Sequence, residues 1–161
     1  MFSANEILDM AFKLEKNGEV VYRDAIEKVS NPELITLLEW MANEEAKHAN
    51  WFADLKLKLD QKSVNPFMEK MSRELFNDLL GDKNFFLKDV DFSSVSDLDA
   101  LIAIFIEFEK DSVRFYQILE PFIGDPVSIE SLRKIIDEEN CHIKRLQELR
   151  GRKEVFKIIS G

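Results

Sequence analysis

The chain's two histidines each stand three residues after a glutamate, in Glu45-x-x-His48 and Glu139-x-x-His142. The motifs recur at an offset of 94 residues, from 48 to 142. The same offset carries Glu15 onto Glu109, Tyr22 onto Tyr116, Pro32 onto Pro126 and Glu44 onto Glu138. The chain is therefore a duplicated unit. On a helix, residues three apart lie about 60° from each other, close enough for Glu and His to bind one centre. A single Glu-x-x-His is a weak signal. Two copies, each with a further glutamate on a partner helix, point to divalent metal ions held by Glu15, Glu45, His48, Glu109, Glu139 and His142.

Four helices must position these six residues. Ser3 with Glu6 is expected to cap the first, whose inward line reads Leu8, Ala11, Glu15, Gly18, Tyr22, Ala25 and Val29 at +3/+4 spacing. Asn31-Pro32 predicts the start of the second, with Leu34, Leu38, Met41, Glu45, His48, Phe52, Leu55 and Leu59 inward. Ser96 with Asp99 is expected to cap the third, whose line reads Ile102, Phe105, Glu109, Ser112, Tyr116 and Leu119. After a turn from Pro121 to Pro126, the fourth carries Leu132, Ile135, Glu139, His142, Leu146 and Leu149, with a stop expected at Gly151. The tail, Val155 to Ile159, suggests a short cap.

The segment from about 60 to 96 departs from the repeat. Asn65-Pro66 and Gly81 bracket a short amphipathic helix through Phe67, Met71 and Leu75. Phe85, Phe86, Leu87, Val90 and Phe92 are expected to pin the following loop to the bundle. So long a connection allows a crossover instead of an up-down-up-down order. The expected fold is all-α: a four-helix bundle of two repeated hairpins, one domain over residues 1–161.

The inward glutamates need a counterweight, because a buried unpaired carboxylate costs at least several kcal/mol. Neither inward face offers a Lys or Arg, so a salt-bridge network is not available. Two divalent cations balance four carboxylates, and neutral imidazoles complete the donor set. This is the pattern of di-iron and di-manganese carboxylate bundles. Tyr22 and Tyr116, two turns beyond Glu15 and Glu109, either pack in the core or hydrogen-bond a ligand carboxylate. Gly18 and Ser112 either leave room for an oxidant or ease helix packing. Glu44 and Glu138 point about 100° away from their neighbours and read as outer-face residues.

Composition narrows the function. A net charge of −9 argues against nucleic acid. One cysteine excludes a disulfide framework or a four-thiolate centre within the chain. The start, Met1 to Glu6, lacks secretory features, and Leu101 to Ile106 is too short to span a bilayer, so the expected home is the cytoplasm. The basic cluster Lys144, Arg145, Arg150, Arg152 and Lys153 either complements a helix C-terminus or docks an acidic redox partner.

Glu15-x6-Tyr22 with Glu45-x-x-His48, repeated as Glu109-x6-Tyr116 with Glu139-x-x-His142, resembles the ferritin-like di-iron carboxylate proteins. The closest resemblance is to their rubrerythrin-like branch, as a stand-alone bundle. It implies a ferritin-like fold and two Fe ions, with Mn or Zn as alternative occupants. Glu45 and Glu139 would bridge the metals, Glu15 and His48 completing one site, Glu109 and His142 the other. Rubrerythrins proper carry a further carboxylate where this chain has Ser112, and a four-cysteine rubredoxin domain that feeds electrons. By this resemblance the protein would be a non-haem di-iron oxidoreductase. It would reduce hydrogen peroxide with electrons from an external donor protein, and a homodimer is expected. Oxygen-dependent ferroxidase activity with iron storage, and a non-catalytic metal-binding bundle, are the alternatives.

Overall fold

The computed structural model describes residues 4–59 and 97–160, together with residues 70 and 74, which are helical. The described residues form α1 (Ala4–Ile26), α2 (Pro32–Leu59), α3 (Leu98–Leu119) and α4 (Pro126–Ser160). A single 3-10 turn, Glu120–Phe122, stands between α3 and α4. No strand occurs among the described residues, and no helix there is long and apolar enough to cross a membrane. The Ser3 cap, the expected helix through Phe67, Met71 and Leu75 and the loop after it lie outside the described residues.

The hairpins start their second helices by one device, repeated at the same offset. Asn31 Oδ1 accepts from Leu34 N at 3.0 Å ahead of Pro32, and Asp125 Oδ2 accepts from Ser128 N at 3.0 Å ahead of Pro126. Such a cap satisfies one of the free N–H groups at a helix start and is worth about 1 kcal/mol. The third helix differs from expectation by one residue. Asp97, not Ser96, is its N-cap, accepting from Ala100 N at 2.6 Å. Nor does Gly151 end α4, which runs on to Ser160. No glycine among the described residues takes a positive φ, so the left-handed C-cap that would stop a helix is not formed there. A helical glycine costs only about 1 kcal/mol, which the rest of α4 outweighs.

The inward lines are buried as their periodicity requires, with Leu8, Leu38, Phe52, Phe105, Tyr116, Leu132 and Leu146 all in the core. Each such side chain contributes roughly 1.5–3 kcal/mol through removal from water. Side-chain pairs fix the helix directions. Tyr22 meets Glu109 while Glu15 meets Tyr116, so α1 and α3 are antiparallel. His48 lies beside Glu139 while Glu45 lies beside His142, so α2 and α4 are antiparallel as well. Lys56 pairs with Asp9 and Arg23 with Asn43, making α1 and α2 an antiparallel hairpin. It follows that α2 and α3 run the same way, with the end of α2 and the start of α3 at opposite ends of the bundle. This is the crossover order.

Candidate metal centre

Helical periodicity aims Glu15, Glu45, His48, Glu109, Glu139 and His142 at the bundle axis, and none is more than 3% exposed. They converge in two groups. Glu15, Glu45, His48 and Glu139 form one, and Glu45, Glu109, Glu139 and His142 the other. Within each group the donor atoms lie within 4.8 Å of one another. Glu45 and Glu139 belong to both, so all six residues singled out by spacing meet at one place.

The histidines present Nδ1 inward. His48 Nδ1 is 2.8 Å from Glu139 Oε1 and 3.6 Å from Glu15 Oε2. His142 Nδ1 is 3.0 Å from Glu139 Oε2, 3.3 Å from Glu45 Oε1 and 3.6 Å from Glu109 Oε2. Glu15 Oε2, Glu45 Oε1, Glu109 Oε2, Glu139 Oε1 and His48 Nδ1 are all buried without a well-directed hydrogen bond among the described residues, His48 Nδ1 and Glu139 Oε1 included despite their close approach. Buried polar atoms are ordinarily paired, so five orphans converging on one point call for a ligand. Donors about 2.1 Å from one cation and roughly at right angles stand about 3 Å apart, which matches these separations. No Lys or Arg is buried among the described residues. The donor set fits two divalent cations.

The electrostatics carry the same message. Burial, with the charges of Glu139, Glu15 and Glu109, raises the Glu45 carboxyl well above its usual range. Burial and Glu139 do likewise to Glu109. For Glu139, burial opposes ionisation, but the proton-bearing groups of Glu109, His142 and His48 beside it outweigh it and hold this carboxyl well below the ordinary value. Burial works against charge on His48, yet Glu139 and Glu15 push its imidazole up to about 12. His142 is raised in the same way by Glu109 and Glu139. Without cations the cluster therefore holds protons, which bound metal would displace.

The tyrosines settle between their two readings. Tyr22 donates its hydroxyl to Glu109 Oε1 and Tyr116 donates to Glu15 Oε1, each reaching a carboxylate of the opposite hairpin. Burial first, then the facing carboxylate, raises both phenols well above their normal value, so they stay protonated. Gly18 and Ser112 both meet Phe108. A Cβ on Gly18 would stand 3.1 Å from the Phe108 ring and 3.4 Å from Glu45 Oε2. The Ser112 hydroxyl donates to Phe108 O at 3.1 Å.

Two contacts around the centre depend on how the helices pack. Glu138, expected on the outer face, turns its carboxylate away from the inner donors. It accepts instead from the outer nitrogen of His48, Nε2, at 2.8 Å. The repeated Glu-Glu-x-x-His pattern was the signal for it. Trp40 packs edge-on against the His142 ring at a centroid distance of 4.9 Å. Its counterpart in the repeat is Lys134, so no repeated pattern marked it.

Four helices in crossover order that bury carboxylates and imidazoles between two hairpins define the ferritin-like di-iron-carboxylate fold. The rubrerythrin family model matches residues 6–150. The chain belongs to the rubrerythrin family. A Thermotoga maritima protein described as a ferritin-like diiron-carboxylate protein is similar in structure, with a TM-score of 0.68 and 26% identity. The match covers 94% of this chain and 97% of that one. No curated protein matches.

Proposed function

We propose that the protein is a non-haem di-iron oxidoreductase that reduces hydrogen peroxide with electrons from a separate donor protein. The observation that carries this reading is the presence of Glu45 and Glu139 in both groups of donor atoms. Shared carboxylates hold two ions close enough to act on one small molecule. A carboxylate-rich donor set with one imidazole per ion favours iron or manganese. Two bound iron(II) ions would give one electron each, so that peroxide and two protons become two waters, and the donor would return the two electrons.

The chain's own residues do the rest. Glu15 and Glu109 complete one group each, and the phenols of Tyr116 and Tyr22 hold those carboxylates in place through their hydroxyl protons. Burial of all six donors keeps bulk water from the centre.

The test is to load the protein anaerobically with two Fe(II) per chain, then mix it with peroxide or with oxygen. Oxidation followed optically should be much faster with peroxide. Preference for oxygen with continued uptake of added Fe(II) would replace this reading with a ferroxidase and storage role. Metal that binds without any optical response to either oxidant would make the site structural.

A further inference from the structure

The repeat makes the six inward donors equivalent in pairs, but their outer surroundings are not equivalent. An imidazole that binds metal through Nδ1 carries its proton on Nε2, and a buried N–H needs an acceptor. His48 Nε2 has one, the Glu138 carboxylate at 2.8 Å. His142 is fully buried and its Nε2 has no hydrogen-bond partner among the described residues. Beside its ring stands the indole of Trp40, nearly perpendicular at 85°. An aromatic ring is at most a weak acceptor.

Two substitutions between the repeats, Lys47 against Cys141 and Trp40 against Lys134, accompany this difference. The counterpart of Glu138 is Glu44, and a Glu44–His142 bond would mirror the Glu138–His48 bond. Glu44 is instead engaged by Lys47 at 2.8 Å on its own helix, and its carboxylate lies within 4.8 Å of His48 and Glu138, on the His48 side of the centre. The counterpart of Lys47 is Cys141, which cannot hold Glu138 in that way. Lys134, where the first repeat has Trp40, stands 3.9 Å from Glu138 and is largely exposed. Glu138 is thus left to cross to His48, while a tryptophan takes the matching place over His142.

We infer that Glu138 is a positioning residue that makes the two metal sites unequal, so that the Glu15–His48 half fills before the Glu109–His142 half. The inference rests on the two-metal reading above. A carboxylate behind a ligating histidine fixes its tautomer and ring orientation and raises its basicity. Losing such a partner typically costs 10- to 100-fold in metal affinity. Glu138 reaches the centre through His48, so its loss should fall first on that half.

Cobalt(II) provides the test, because a paramagnetic ion shifts the ring N–H proton of a histidine that binds it. Proton spectra are followed as Co(II) is added to the full chain, with His48→Gln and His142→Gln assigning the two signals. The His48 signal should grow during the first equivalent and the His142 signal during the second. In Glu138→Ala the first ion should bind about 10-fold more weakly or worse, and the two signals should rise together. Glu138→Gln, whose amide oxygen can still accept the proton, should restore much of the order. Helical content of each variant should match the parent. Signals that rise in parallel in the parent, or an order untouched by Glu138→Ala, would overturn the inference while leaving a two-ion centre standing. Binding of fewer than two Co(II) per chain would overturn the two-metal reading and this inference together.

Discussion

Tyr22 on α1 donates its hydroxyl to Glu109 on α3, tying a phenol of one hairpin to a metal-facing carboxylate of the other. Tyr116 and Glu15 make the same tie in reverse. The pair of bonds stitches the two repeats together at the level of the centre. It also uses the carboxylate oxygens that do not point inward. One oxygen of each glutamate is thereby satisfied, leaving Glu15 Oε2 and Glu109 Oε2 for a cation.

Replacement of Tyr22 or Tyr116 by Phe leaves a buried carboxylate oxygen without its donor. The expected cost is about 1–3 kcal/mol per substitution. Thermal unfolding of the metal-free protein should show it as a lowered Tm. Both variants should still bind two Fe(II) per chain, because neither tyrosine is among the donors.

Glu45 and Glu15 should separate by capacity. Glu45 serves both groups, whereas Glu15 serves one. Glu15→Ala leaves Glu45, Glu109, Glu139 and His142 intact, so equilibrium dialysis should find one ion retained. Glu45→Gln should weaken both ions. The same substitution should raise the Tm of the metal-free protein by a few degrees, since it removes a carboxylate that burial and three neighbouring glutamates disfavour.

Metal affinity should rise with pH. His48 is held protonated up to about 12 in the metal-free cluster, and His142 is raised well above its ordinary value. Each ion must displace the proton on its imidazole, so binding releases protons and acid opposes it. For one proton per ion, affinity should increase about tenfold per pH unit while the imidazole stays protonated in the free protein. Calorimetry at pH 7 in buffers of different ionisation enthalpy should count at least two protons released for two ions. A count of zero would contradict the assignment of both histidines as donors.

Stripping metal with a chelator should lower the unfolding temperature, because only the folded bundle assembles both donor groups. At a free metal concentration a thousandfold above Kd, each ion adds about 4 kcal/mol to stability. The loss on chelation should shrink in Glu15→Ala and nearly vanish in a Glu45→Ala/Glu139→Ala double variant.

What could be read directly from the chain was whatever depends on a helix alone. A side chain's angle about its own axis follows from its position in the 3.6-residue period, so the six inward donors and the core lines were legible. The Asn31-Pro32 start was legible for the same reason, since a cap bonds within its own first turn. Local signals failed where several residues compete for one role. Asp97 replaced Ser96 as a cap, and Gly151 stayed inside α4 because a glycine ends a helix only when it takes the left-handed conformation.

Contacts between helices were another matter. That Tyr22 would reach Glu109 of the opposite hairpin, that Glu138 would cross to His48, and that Trp40 would lie on His142 all depend on which helices are neighbours and at what level. The repeat specified two equal hairpins. Only their packing, antiparallel for α1 with α3 and for α2 with α4, decided which outer residues face which inner ones. That packing turned a symmetric set of donors into a centre with one supported histidine and one bare one.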